Sequence, residues 1–491
     1  RPADRSARQR SKKMDPIIAV AVVYLGLLAF FALWSRRETH TLEGYYLAGR
    51  KLPYWVVAFS TNATGESGWL LLGLTGMGYA VGAKAYWVVV GEVLGVALSW
   101  LYVSRRLKRM GDETESITVP DLLAARFKDK WHLIRGVAVF IILTMVTAYI
   151  AAQMVATGKA VSSFTEFGYN NGIIVGAAII IAYTFVGGYK AVSYTDVLQG
   201  VLMLLGLILV PMVAIYAGDG WSAIKSNIAT QDPALLDFFS FTNEGIAGWV
   251  GVIGFLAIGL PFLGVPQLLV RYMSCRDDNE LKKARWVSVI VMAGFGVGAV
   301  TAGIAGRALF PGLEDAETIF PVLSTAFFPP LITGVLLVIV LSAIMSTADS
   351  LLLLASSAVV RDTMQKILGS KKSDRQLAVF GKIATLLIGA LGVALAFKVE
   401  ALIFWFVLFA WSGLGSAFGP VVLCLLYYKG TTAQGVVAGM LAGFLTSVVW
   451  VLWIKEDAYG LYEALPGFVM GALITLLVSK MTATSAASDV T

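Results

Sequence analysis

The sequence predicts an all-α polytopic membrane protein of about 13 transmembrane helices arranged around an inverted repeat of five helices. Three observations carry this reading. The chain is 491 residues long, 58% hydrophobic and 14% charged, with a mean hydropathy of +0.77; soluble proteins carry about 25% charged residues. A hydrocarbon core of about 30 Å needs about 20 apolar residues per crossing. Stretches of that kind fall at 17–35, 53–80, 85–103, 135–161, 173–189, 197–217, 246–273, 285–307, 328–360, 377–398, 400–428, 432–454 and 462–480. Finally, the second and seventh stretches each contain a segment that an unbroken helix does not accommodate.

Taken in order, residues 1–16 form a basic N-terminal extension, which is left out of fold reasoning. Residues 17–35 form a helix that precedes the repeats. The second span holds Ser60, Thr61, Asn62, Thr64, Gly65, Glu66, Ser67 and Gly68 in its middle. Unpaired backbone groups in hydrocarbon cost several kcal/mol, so a helix breaks at mid-depth only where protein or a water-filled cavity satisfies it. Such a break offers carbonyl oxygens to a cation and helix N-termini to an anion. The alternative is a polar kink packed against its neighbours.

The third span carries Glu92. It could relay protons, pair with a base or face a solvated vestibule. On the fourth, Tyr149 and Gln153 lie four residues apart on one helix face. They suit a small zwitterion or carboxylate, or else an interhelical hydrogen bond. Asp196 opens the sixth span, as a helix-start acid or as a cation ligand. The seventh reads Gly259-Leu-Pro261-Phe-Leu-Gly264-Val-Pro266, and two prolines five residues apart each remove a helix donor. Its distance from the second span is that of two five-helix repeats, each opening with a discontinuous helix. This places repeat 1 at 53–217, repeat 2 at 246–428, two further helices at 432–480 and a polar tail at 481–491.

In the ninth span Ala343, Ser346, Thr347 and Ser350 share a face, with Asp349 beside it. A carboxylate inside a span usually faces a pathway. Hydroxyls, carbonyls and one carboxylate form an oxygen-only set that suits a hard cation. Small residues that merely pack between helices are the alternative.

Other functions fit poorly. His40 and His132 stand in loops, and Cys275 and Cys424 lie far apart, so neither a histidine metal centre nor a disulfide framework is expected. The polar stretches 104–134 and 218–245 are too short for a soluble domain. The net charge of +7 comes from short loops and does not imply nucleic acid. With the N-terminus outside, the outer loops keep only Lys84, Lys159, Lys225, Arg307, Lys398 and Lys455, apart from the basic N-terminal stretch. The remaining basic residues, among them Arg36, Arg37, Arg135, Arg271 and Arg361, then face the cytoplasm, which sets the C-terminus inside.

Several motifs, in order, resemble the solute:sodium symporter family, and within it the bacterial proline carriers. They are Ser67-Gly68-Trp69-Leu70-Leu71, VPDLLAARFKDK (119–130), FVGGYKAVSYTD (185–196), VPQLLVRYM (265–273), SAIMSTADS (342–350), AWSGLGSAFGPVVL (410–423) and GLYEALPGF (460–468). The resemblance implies a leucine-transporter-like fold and Na+ as coupling ion, with no other metal. It implies a sodium site made by the carbonyls of Ala63, Glu66 and Ala343 and the hydroxyls of Ser346 and Thr347. Some members hold a second sodium, at positions matching Asp196, Ser346, Asp349 and Ser350. Solute positions match Ser67, Gly68, Trp69, Tyr149, Ile258, Phe262 and Pro266, and Gln153 adds an amide. Departures from the proline carriers stand at Gly65, where they have an aspartate, and at Ile258 and Phe262, where they have a tryptophan and a tyrosine.

The expected function is therefore sodium-coupled uptake of a small organic solute by alternating access in the cell's inner (plasma) membrane. The expected solute is an amino acid such as proline; the alternative is a monocarboxylate, sugar acid or vitamin. The expected partners are that solute and the lipid bilayer, with no obligate protein partner. A sensor, a channel or an enzyme fits less well.

Overall fold

The computed structural model describes residues 16–35, 41–240, 245–398 and 403–488. The basic extension up to residue 15, Arg36, Arg37, His40, residues 241–244 and 399–402, and the tail end 489–491 lie outside the described residues. Among the described residues the regular elements are helices, apart from one isolated bridge between Leu52 and Cys275.

Among the described residues, ten helical stretches are long and apolar enough to cross a membrane. Two of them are too long for a single crossing. Tyr54–Glu113 has 60 residues and Tyr169–Ala217 has 49, which at 1.5 Å per residue make roughly 90 and 74 Å. Each is divided by a glycine with positive φ, Gly82 (66°) and Gly188 (62°), and each holds two crossings. Together with the apolar helix Pro16–Ser35, these account for the full set of crossings that hydropathy predicts.

Local chemistry marks the helix ends. Thr118 caps Val119–Phe127 through the Asp121 N–H, with Pro120 in the first turn. Asp277 caps Asp278–Leu309 by accepting from the Asn279 and Glu280 N–H groups. Ser373 and Gln376 form a reciprocal capping box at the start of Asp374–Ala396. These side chains satisfy donors that a helix start leaves unpaired.

The second span runs Tyr54–Gly68, then a wide turn at Trp69–Leu74, then Thr75–Val81. Its break is at Ser67, where φ is 61° and ψ is −170°. A residue with a Cβ avoids that region, at a cost of about 1–3 kcal/mol. The seventh span is Ile246–Ala257, a tight turn at Leu260–Leu263, and Pro266–Ser274. Backbone contacts clamp this second break. A Cβ on Gly259 would lie 1.8 Å from the Gly91 carbonyl of the third span, and one on Gly264 would lie 2.1 Å from Gly419 of the eleventh. The ninth span, Pro330–Ser357 with its extension to Ile367, lies in the bundle's interior, as does the eleventh, Ile403–Tyr427. Of the ninth's most apolar window 78% is buried, against 28% for the last helix, which faces outward.

Candidate sodium and solute site

The breaks place the predicted residues around one centre. Between the second and ninth spans, the Ser346 hydroxyl lies 2.9 Å from the Ala63 carbonyl and 3.0 Å from that of Ala343. The Thr347 hydroxyl donates to the Thr64 carbonyl at 3.0 Å. Both residues are fully buried. The Glu66 carbonyl is engaged differently, accepting from the Trp69 N–H across the break. This donor set is oxygen only, with no sulfur or imidazole, and suits a hard monovalent cation.

A second polar cluster adjoins the first and has a resident cation of its own, the Arg271 guanidinium. Arg271 is 1% exposed. Its Nη2 lies 3.1 Å from Asp196 Oδ2, 2.5 Å from Thr64 Oγ1 and 2.5 Å from Ser350 Oγ. Its Nε reaches Ser60 Oγ at 2.9 Å, and Ser60 donates to Asp196 at 2.6 Å. Asp349 sits on the far side of Ser350, which donates to it at 3.1 Å, and also accepts from the Tyr183 phenol. The four second-sodium positions are thus contiguous, with Ser350 bonded to the Ser346 carbonyl at 2.9 Å. Arg271 was counted among the cytoplasmic loop charges, but it lies in the bundle. Pro266–Ser274 follows the break and is buried along its whole length, so it cannot be a loop.

The expected solute positions line the other side of the break. Gln153 Oε1 accepts from the Gly68 N–H at 3.2 Å, and Ser67 Oγ accepts from the Trp69 N–H at 3.1 Å. These bonds hold the strained Ser67 turn. Trp69 stacks on Phe404, ring centroids 5.4 Å apart and planes at 26°. Tyr149 and Phe262 both meet Trp411 edge-on, at 6.5 and 5.0 Å. Trp411 also donates to the Ile258 carbonyl at 3.3 Å. It therefore joins Tyr149, Phe262 and Ile258, although sequence reasoning used AWSGLGSAFGPVVL only as a likeness. Pro266 is buried at the start of the helix that carries Arg271.

Charge networks tie the helices together at both ends of the centre. At one end Arg135 pairs with Asp362 at 2.6 Å and with Asp121 at 3.0 Å, and Arg361 pairs with Asp121 at 2.9 Å. Burial alone would raise the Asp121 carboxyl, but Arg361 and Arg135 outweigh it and hold it below the usual carboxylate range. At the other end Lys159 pairs with Glu317 at 2.6 Å. Glu317 in turn accepts the Ile403 and Phe404 N–H groups at 3.1 and 2.8 Å, capping the eleventh span beside the Trp69 stack.

The sequence profile of the Sodium:solute symporter family matches residues 45–443. The chain belongs to this family. A sodium/proline symporter of Staphylococcus aureus is 36% identical over 489 residues, covering 97% of this chain and 94% of that protein. Among solved structures, a Na+-coupled sialic acid symporter in a substrate-bound, outward-open state superposes with a TM-score of 0.78 at 19% identity, over 94% of this chain and 98% of the other. MhsT in complex with L-phenylalanine gives 0.53 at 15% identity, over 88% and 98%. At those identities the structures establish the fold, which is leucine-transporter-like. This symporter is a multi-pass membrane protein that couples solute movement to Na+, and it is not an enzyme.

Proposed function

We propose that this symporter takes up a small zwitterion, an amino acid such as proline, together with Na+, across the plasma membrane. Its N-terminus is outside and its C-terminus inside. Repeats 53–217 and 246–428 form the moving parts, and no obligate protein partner is needed. The observation that carries the reading is the junction of the second and ninth spans, where the Ser346 and Thr347 hydroxyls meet the Ala63 and Thr64 carbonyls at 2.9 and 3.0 Å. A cation there replaces those hydrogen bonds with its own contacts to Ala63, Glu66, Ala343, Ser346 and Thr347, and so fixes the Ser67 turn. The solute then docks against Ser67, Gly68, Trp69, Tyr149, Gln153, Ile258, Phe262 and Pro266. Sodium and solute each order the same unwound segment, so each raises the other's affinity by the same factor.

The 36% identical sodium/proline symporter and the polar Tyr149–Gln153 face support an amino acid over a sugar acid, monocarboxylate or vitamin. Uptake of labelled proline into proteoliposomes, with and without an inward Na+ gradient, tests this. Sodium-driven, saturable accumulation is the expected result. Sodium-driven uptake of a monocarboxylate or sugar acid that proline does not compete with would replace the amino acid by that class.

A further inference from the structure

One carboxylate at the centre has no assigned work. Glu66 is 1% exposed, and neither Oε1 nor Oε2 has a hydrogen-bond partner. Glu92 of the third span is likewise buried, 3% exposed. Among the described residues no Lys, Arg or His makes an ion pair with either acid. An ionised carboxylate buried without a partner costs several kcal/mol. A positive group bonded to Glu66 would offset that cost, and among the described residues none does so.

Two unpartnered donors stand next to it. The Trp69 indole N–H and the Gln153 Nε2 are buried and make no hydrogen bond. Both are fixed in place. Gln153 commits its Oε1 to the Gly68 N–H, which leaves its NH2 as the unused end. Trp69 is held by its stack on Phe404. Tyr149 and Gln153 are one helical turn apart, so the face that bonds the Gly68 N–H also carries the Tyr149 ring. Unused acceptors and unused donors thus lie on neighbouring residues, 66 and 69, around the Ser67 turn. A lone proton or metal ion needs only the acceptors. A zwitterion needs both sets.

We propose that Glu66 is the seat of the solute's cationic nitrogen, and that Gln153 Nε2 and the Trp69 indole N–H take its carboxylate. This rests on the amino-acid reading above and adds the solute's orientation and charge requirement. Glu66 then serves two ligands from one residue, sodium through its backbone carbonyl and the solute through its side chain. That is a direct physical route for coupling the two.

The test uses the full-length protein in proteoliposomes, with proline and cyclopentanecarboxylate as probes; the second is the same ring with carbon in place of nitrogen. Wild type should prefer proline strongly. Glu66→Gln should weaken proline roughly ten- to a hundredfold while leaving the weak competition by cyclopentanecarboxylate unchanged, because only the charge-assisted bond is lost. A melting temperature that still rises with Na+ alone shows that Glu66→Gln is folded and keeps its sodium site. An unchanged proline preference in a folded Glu66→Gln overturns the seat, and so does loss of the sodium response with the preference intact. Wild type that ignores proline and takes up a monocarboxylate on Na+ overturns the amino-acid reading and the seat together.

Discussion

The break in the second span has two faces, and they are finished differently. Toward the ninth span the hydroxyls of Thr64, Ser346, Thr347 and Ser350 are all bonded, and Arg271 fills the space between Asp196 and Ser350. Toward the third and fourth spans, Glu66, Trp69 and Gln153 keep polar atoms with no partner. The first face is a preassembled joint between helices that already holds its shape, and a sodium ion there exchanges one set of bonds for another. The second face is incomplete as built, which is the condition of a surface meant to be completed by a ligand. Buried polar groups are normally satisfied within the protein; Asp196 Oδ1, Gln199 Oε1 and both polar atoms of Gln267 are further exceptions, and Glu66 stands out as a buried acid with neither oxygen bonded.

The largest expected effect breaks the finished face. Arg271→Met leaves Asp196 buried without its cation, a loss of roughly 3–5 kcal/mol when one member of a buried pair is removed. The detergent-solubilised protein should melt well below wild type. Adding Asp196→Asn should recover much of the loss, because the stranded charge goes with it. If the single variant melts like wild type, Arg271 is not the cluster's cation. The Arg271–Asp196 pair also bears on the second sodium that the family resemblance implies at Asp196, Ser346, Asp349 and Ser350. Arg271 holds that cluster's positive charge, so wild type should move one Na+ per solute. A sodium Hill coefficient near two would show that Arg271 leaves room for another ion.

Next in size is the sodium junction. Ser346→Ala or Thr347→Ala removes one oxygen and leaves each helix intact. The sodium concentration for half-maximal uptake should rise about tenfold or more in each, with expression preserved. Unchanged sodium dependence in both would move the ion elsewhere. A smaller effect is expected at Gly65, where an added Cβ would sit 3.0 Å from the Phe262 ring edge. Gly65→Ala forces that ring aside, an overpacking cost of about 1 kcal/mol. Solute affinity should fall several-fold, while sodium binding measured without solute should not move. A parallel loss of both would mean that the two faces share one rigid wall.

Much of this was legible in the chain because membranes make sequence expensive to waste. The polar run in an apolar span and the Pro261–Pro266 pair mark the two breaks, and the three- and four-residue spacing of Ala343, Ser346, Thr347 and Ser350 gives the cation-facing stripe. What could not be read is which partner each polar group finds. Arg271, Arg135 and Arg361 look like loop charges when basic residues are counted for orientation, yet each pairs with a carboxylate where helices meet. Only the position of Arg271, five residues after Pro266 on a helix re-entering the bundle, hints at its burial. Trp411 touches Tyr149, Phe262 and Ile258 from a span far away in sequence, and such contacts follow from tertiary packing alone. Glu66 was visible as an acid inside the polar run of the second span, but its lack of a partner is a property of the fold.

The smallest predicted effect sharpens the contrast most. In this chain Phe262 stands where the proline carriers have a tyrosine. Its ring meets Trp411 edge-on at 5.0 Å, and its Cζ is 3.6 Å from where a Gly65 Cβ would be. That position flanks the ring at Cε1, 3.0 Å away, so a hydroxyl added at Cζ points past Gly65 and is not opposed by it. If the pocket depends on aromatic hydroxyls for polar contact, Phe262→Tyr gains one net hydrogen bond, about 0.5–1.5 kcal/mol, and proline should bind roughly two- to tenfold more tightly. If Glu66, Gln153 and Trp69 already satisfy both ends of the zwitterion, the new hydroxyl has nothing left to bond and affinity should stay within about twofold of wild type. The second outcome is the one expected here, because the unpartnered atoms lie on the second and fourth spans and Phe262 adds apolar wall from the seventh. Equilibrium binding of proline to wild type and Phe262→Tyr at saturating Na+ decides between them. A tenfold gain would return polar recognition to the seventh span and leave the Glu66 face without its role.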